Sequence, residues 1–152
     1  MSKRAEFRLQ FANDYYKDGN LTLPEDEDTR KEAIRLLFGS ELVDRVDSWI
    51  EQAQRVLQRN EEFADFTDSQ KAATLALISH TAYGTLHSEC VMIDQFGEIE
   101  IRLIERDEDD NPLRSTPFAG MREDELHHAY FEWCDRFGDH YDYFSSTRFA
   151  TK

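Results

Sequence analysis

This chain of 152 residues carries 32 acidic and 18 basic side chains, which gives a formal net charge of −14 and a sequence pI near 4.7. The length predicts one domain over residues 1–152, and the 12% aromatic content argues against disorder, because large rings bury enough surface to offset the entropy of ordering. The charge argues against direct binding to nucleic acids or to anionic membranes. No segment has the apolar length of a membrane span or of a signal peptide, so we expect a cytoplasmic protein.

The first part of the chain predicts two helices. Apolar residues at helical spacing predict a helix over residues 4–17, with a strand over residues 7–11 as the alternative. The acids that follow a proline favour a short helix over residues 26–38, which ends at Gly39. Ser40 is then the predicted N-cap of the next helix.

The next two helices carry the predicted core. The helix that follows Ser40 has a continuous apolar stripe at helical spacing. A further helix begins at Thr67 or Asp68, runs to about Tyr83 and is apolar on nearly all sides, so we expect it to be central and buried. The stripe of the earlier helix consists of Leu42, Val46, Trp49, Ile50, Ala53, Val56 and Leu57.

A β-hairpin is predicted at about residues 90–104. The apolar run 90–93 and the alternating run 98–104 flank a turn that ends at Gly97. An acidic loop and a last helix at about 121–137 follow. The expected fold is α+β and helix-dominated, with four to five helices and one β-hairpin.

The negative charge is concentrated in the second half of the chain. Residues 1–84 hold 16 acids and 11 bases, whereas residues 85–152 hold 16 acids and 7 bases. Like charges repel one another and destabilise a compact state, so we interpret the surplus as a surface that binds a basic partner, with solubility as the alternative. Carboxylates recur every ~6 to 7 Å along a strand or helix face and can imitate the charge row of a nucleic acid.

The leading hypothesis is a non-enzymatic acidic inhibitor that occupies the basic, nucleic-acid-binding surface of a partner protein. Anti-restriction, anti-CRISPR and nuclease-immunity proteins share this charge profile in general terms, although no motif assigns the chain to any of these groups. No cofactor is expected. Asp44, Asp47 and Glu51 form a further acidic row along one helix. The predicted contact residues are Glu25, Asp26, Glu27, Asp28, Glu98, Glu100, Asp107, Glu108, Asp109, Asp110 and Trp133.

The histidines support an alternative hypothesis, a zinc- or iron-dependent enzyme. Histidine, cysteine and glutamate at helical spacing can share a helix face and ligate such metals. The pattern is weak, because the chain lacks His-Glu-x-x-His, CxxC and the calcium loop of an EF-hand. The candidate ligands are His80, His87, Cys90, His128 and Glu132.

Aromatic residues near the end of the chain support a third hypothesis, an oligomeric structural component that docks through them. Tyrosine and tryptophan are enriched at interface hot spots. The alternative is that the last segment folds back and buries these rings. They are Tyr130, Phe131, Trp133, Phe137, Tyr141, Tyr143, Phe144 and Phe149.

Overall fold

The computed structural model describes residues 3–120 and 126–141. Within these ranges four α-helices dominate and two small antiparallel sheets complete the fold, which confirms the helix-dominated α+β prediction. The helices are α1 (Lys3–Tyr15), α2 (Glu27–Arg59), α3 (Asp68–Gln95) and α4 (Leu126–Phe137), and the strands are β1 (Tyr16–Lys17), β2 (Asn20–Leu21), β3 (Glu100–Arg106) and β4 (Pro112–Gly120). None of these helices combines the length and apolarity needed to cross a membrane.

Helix α1 and the start of α3 agree with the sequence. The helix predicted over residues 4–17 is present and ends at Tyr15, so the strand alternative at residues 7–11 is wrong. A tight turn with positive φ at Asp18 and Gly19 joins β1 to β2 directly after it. Thr67 caps α3 in a reciprocal capping box with Gln70, as one of the two predicted caps.

Helix α2 is one continuous helix of 33 residues, so the predicted break at Gly39 is wrong. Asp26 caps its first turn by accepting a bond from the Thr29 amide at 2.9 Å. The Ser40 hydroxyl donates to the Leu37 carbonyl inside the helix at 2.8 Å instead of capping a new one. Gly39 leaves room for a ring of α4, since a Cβ built on it would lie 2.2 Å from Trp133.

The β-hairpin lies further along the chain than predicted. The prediction of a hairpin at 90–104 is wrong in its first arm. Residues 90–93 of that arm form the last turns of α3, which continues to Gln95. The hairpin is β3 paired with β4, in a register that joins Glu100 to Gly120 and Leu103 to Thr116. The acidic loop predicted to follow the hairpin is therefore its turn.

One core cluster joins all four helices and β4. Helix α2 lies against α1, α3 and α4, and β4 packs on α2 and α3. The predicted apolar stripe of α2 is wrong in part, because Trp49 is 72% exposed and Val56 is 38% exposed. The other five members agree with the prediction, since Ile50 and Leu57 are buried and the rest pack against the core. Val43, which lies seven residues before Ile50 and outside the predicted stripe, is buried as well. The three that pack against the core are Leu42, Val46 and Ala53. A single domain for the whole chain stays a prediction.

Candidate partner-binding surface

Two of the predicted acidic segments meet at one end of the molecule. We define the loop-end surface as residues 25–31 and 105–114, which together hold nine acidic and four basic side chains. A cleft of about 520 Å³ separates the two segments, with Glu25 on one wall and Asp107 and Glu108 on the other. The sequence predicted both acidic segments but gave no indication that they share a cleft.

Hydrogen bonds from arginine side chains join the two segments. Arg114 of β4 donates twice to Glu105 of β3, once at 2.7 Å, and also reaches the Glu25 carboxylate at 3.3 Å and the Leu23 carbonyl at 3.2 Å. The hydrogen bond to Glu105 is the main reason that the pKa of Arg114 is raised. Arg30 is buried and donates to the Thr116 hydroxyl at 2.9 Å, so α2 and β4 are joined beneath the cleft.

Some loop-end carboxylates shape the backbone. Asp26 caps α2, and hydrogen bonds from Thr29 lower its pKa. Asp107 accepts from the Asn111 amide at 2.8 Å and from the Asp109 amide at 3.0 Å, and these bonds lower its pKa. These two acids build turns, and their charge remains exposed to solvent.

The remaining loop-end carboxylates at residues 25–28 and 107–110 differ in whether they pair with a cation. Glu27 lies 3.0 Å from Lys31 and Asp110 lies 3.6 Å from Arg106. Exposed Asp28, Glu108 and Asp109 form no ion pair with any residue in the described ranges. Their charge is therefore available to a cation from another molecule.

Glu98 and Glu100 lie apart from this surface. Glu100 begins β3, and the turn that holds Asp107 follows seven residues later, which corresponds to ~20 Å of strand. Arg102 lies 2.6 Å from Glu100 and neutralises it. The structure therefore does not bring these two predicted contact residues to the loop-end surface.

Trp133 is buried, so its prediction as a surface contact is wrong. Its side chain has no exposed area and packs over Gly39 of α2. Trp133 follows Leu126 by seven residues and Tyr130 by three, so helical periodicity places it on the buried face of α4. This helical spacing is the sequence feature that could have indicated the burial of Trp133.

Asp47 is also buried, although the sequence predicted it on a polar face. Its carboxylate accepts from Arg4 at 2.8 Å, from the Tyr83 hydroxyl at 2.6 Å and from the Asp139 amide at 2.9 Å. We call these four residues the Asp47 network. Asp47 falls on the core line of α2, four residues after Val43, and this position could have indicated its burial.

The predicted metal ligands do not form a site. His87 stacks on Tyr130 with ring centroids 5.0 Å apart, and Glu132 lies 3.6 Å from Arg136. Cys90 is buried, and desolvation raises its pKa to about 12, which disfavours the thiolate that binds metals. His80 lies partly buried on α3 and His128 lies exposed on α4. Across residues 3–120 and 126–141, no three His, Cys, Asp or Glu side chains are grouped to hold a metal ion.

Most of the described aromatic residues near the end of the chain belong to the core. Tyr130 and Phe137 are buried beside Trp133, and Tyr141 packs on Tyr83 with ring centroids 5.5 Å apart. Phe131 is 44% exposed. Tyr143, Phe144 and Phe149 lie outside the described residues.

Comparison with known proteins identifies no relative. No protein-family model, curated protein or solved structure matches this chain.

Proposed function

We propose that this chain is a non-enzymatic acidic protein that binds a basic surface of a partner protein, of the kind that otherwise binds nucleic acid. The observation that carries the proposal is the loop-end surface, whose two segments hold nine acids and four bases and border one cleft. All four of those bases already bond to groups of the chain itself. Arg30 donates to Thr116 and Arg114 to Glu105, while Lys31 and Arg106 pair with Glu27 and Asp110. The surplus of negative charge at this end is therefore directed to solvent.

The chemistry of the surface suits arginine and lysine. Unpaired carboxylates accept charge-assisted hydrogen bonds from guanidinium and ammonium groups, and no internal ion pair has to break first at Asp28, Glu108 or Asp109. A net charge of −14 also attracts a basic partner over distance and speeds encounter at low salt. A nuclease, a restriction enzyme or a CRISPR effector presents such a basic groove, and occupying it would exclude the nucleic acid.

Retention on the immobilised protein tests the proposal. One variant removes the unpaired loop-end charges (Asp28→Asn, Glu108→Gln, Asp109→Asn), and a matched control removes three exposed charges elsewhere (Glu61→Gln, Glu62→Gln, Asp65→Asn). Wild type and control should retain nucleic-acid-binding proteins from a lysate at ~50 mM salt and release them by ~0.5 M, where screening acts over a few Å. The loop-end variant should retain few or none.

Two results would contradict the proposal. One is equal retention by the loop-end variant and the control, which would show that general charge is responsible. The other is a retained protein whose nucleic-acid binding or cleavage continues unchanged when the purified chain is added in excess.

A further inference from the structure

Among residues 3–120 and 126–141, one edge of strand β3 pairs with no other strand. Within the described residues the strand is hydrogen-bonded to β4 alone, and β4 is the strand that packs on α2 and α3. Both irregularities of the hairpin place the extra residue on β4, at Phe118 and at Leu113, so the seven residues of β3 are regular. An unprotected regular edge is a template for a further strand.

An apolar groove lies between β3 and α2. It has a volume of about 280 Å³ and is lined by Leu37 and Phe38 of α2 and by Ile101 and Leu103 of β3. On the other face of β3, Ile104 is 48% exposed. A strand added to the β3 edge would cover part of both apolar surfaces.

We propose that a second copy of this chain pairs with β3, antiparallel and two-fold symmetric about Leu103. In this register Glu100 lies directly opposite Arg106 of the second copy, and the reverse pair forms at the other end of the strand. Opposed side chains on neighbouring strands lie about 5 Å apart, within reach of an ion pair. The result is a four-stranded sheet whose two central strands are joined by one ion pair at each end.

Charge selects this register over its neighbours. A two-fold axis perpendicular to the sheet leaves every side chain on its own face of the sheet. Because directly opposed residues of antiparallel strands share a face, the axis must pass beside one residue, which then lies opposite its own copy. Centring on Arg102 would oppose Arg102 to its own copy, and centring on Ile104 would oppose Arg102 to Arg106. Each alternative places like charges in contact, which is destabilising.

The side chains on both faces fit the same register. Leu103 lies opposite its own copy on the inner face, beside the apolar groove. Ile101 lies opposite Glu105 of the second copy, whose carboxylate keeps its bond to Arg114 of its own chain. On the outer face the aliphatic part of Arg102 lies against Ile104 of the second copy. Within one chain, Glu100 pairs with Arg102 at 2.6 Å and Arg106 pairs with Asp110 at 3.6 Å. Exchanging these exposed ion pairs for pairs across the interface costs little free energy.

Charge reversal tests the interface, by sedimentation equilibrium between about 1 µM and 1 mM protein. The measurement is made at ~0.3 M salt, where repulsion between two acidic copies is screened. Wild type should be a reversible dimer. Glu100→Arg and Arg106→Glu should each raise the dimer dissociation constant about tenfold or more, and the variant that carries both should recover wild-type association.

The rescue separates this interface from a folding defect and from general charge. A matched control, Glu51→Arg, makes the same charge change on α2 and should leave association unchanged. A wild-type chain that is monomeric over the whole range would overturn the proposal. So would a double variant that associates no better than the single ones. The interface shares Glu105 and Arg106 with the loop-end surface. Self-association of the purified chain is measured with no basic partner present, so failure of this test and failure of the proposed function are distinguishable.

Discussion

The Asp47 network and the loop-end surface use the same chemical groups in different surroundings. In the network one carboxylate with no exposed area accepts from a guanidinium, a hydroxyl and a backbone amide. At the loop end the acids are mostly exposed, and Asp28, Glu108 and Asp109 have no ion pair in the described part of the chain. The difference shows that burial, and not residue type, separates the charges that hold this fold from those that face solvent.

Removing the buried carboxylate should have the largest effect. Asp47→Ala leaves the Tyr83 hydroxyl without its acceptor and takes the shortest ion pair from Arg4, whose side chain is only 11% exposed. We expect a loss of about 3–5 kcal/mol in the free energy of unfolding, measured with urea. Asp44→Ala is the matched control, since Asp44 pairs with the same arginine but is 29% exposed. An equal loss of unfolding free energy in both variants would show that burial does not set the contribution of these carboxylates.

The packing beneath α4 gives the next largest effect. Gly39→Ala places a methyl group against the Trp133 ring and should cost about 1–3 kcal/mol through overpacking. The same change at an ordinary helix position stabilises by about 0.5–1 kcal/mol, so the sign of the effect is diagnostic. Gln52→Ala, at an exposed position of α2, serves as the control. A thermal midpoint at or above that of wild type would disprove the contact.

Alkaline pH should weaken the helical core. Burial raises the pKa of Cys90 and of Cys134 from 9.0 to about 12. The unfolded chain therefore loses these protons first, so stability is constant below pH 9 and falls as the pH rises towards 12. The loss should be on the order of 1 kcal/mol per thiol by pH 10. Urea unfolding at several pH values measures it, and Cys90→Ala should reduce the slope; an unchanged slope would contradict the assignment.

Neutralising the loop end should have the smallest effect on stability. The variant with Asp28→Asn, Glu108→Gln and Asp109→Asn removes three exposed charges that form no ion pair in the described part of the chain. Its free energy of unfolding should remain within about 0.5 kcal/mol of wild type. A larger loss would place these residues with the Asp47 network, as part of what holds the fold.

Periodicity predicted the helical elements and failed where long-range packing decides. Glycine is a common helix terminator, so the sequence predicts a break at Gly39. The Trp133 ring, which comes from a distant part of the chain and packs on Gly39, explains why glycine is needed there inside a continuous helix. Strand β4 was missed because Pro112 and Pro117 interrupt it. One lies at its first residue and the other beside a bulge, which are positions where strands tolerate proline.

The candidate site was predictable in its composition and not in its arrangement. The acids at residues 25–28 and 107–110 are evident in the sequence, but their shared cleft depends on a contact between Glu25 and Arg114, 89 residues apart. Charge counting also could not distinguish Asp47 from its exposed neighbours. A carboxylate on the core line of an amphipathic helix is the feature that makes this distinction.

The Asp47 network has a mechanical consequence. Arg4 from the first turn of α1 and the backbone of Asp139, just beyond α4, are both held by one carboxylate in the middle of α2. A force applied between residues 4 and 139 would act first on these few short bonds. Arg4 also donates directly to the Asp139 carboxylate at 3.3 Å. The helices would separate only after these bonds had broken, so the force at which they break would report on the Asp47 network as a whole.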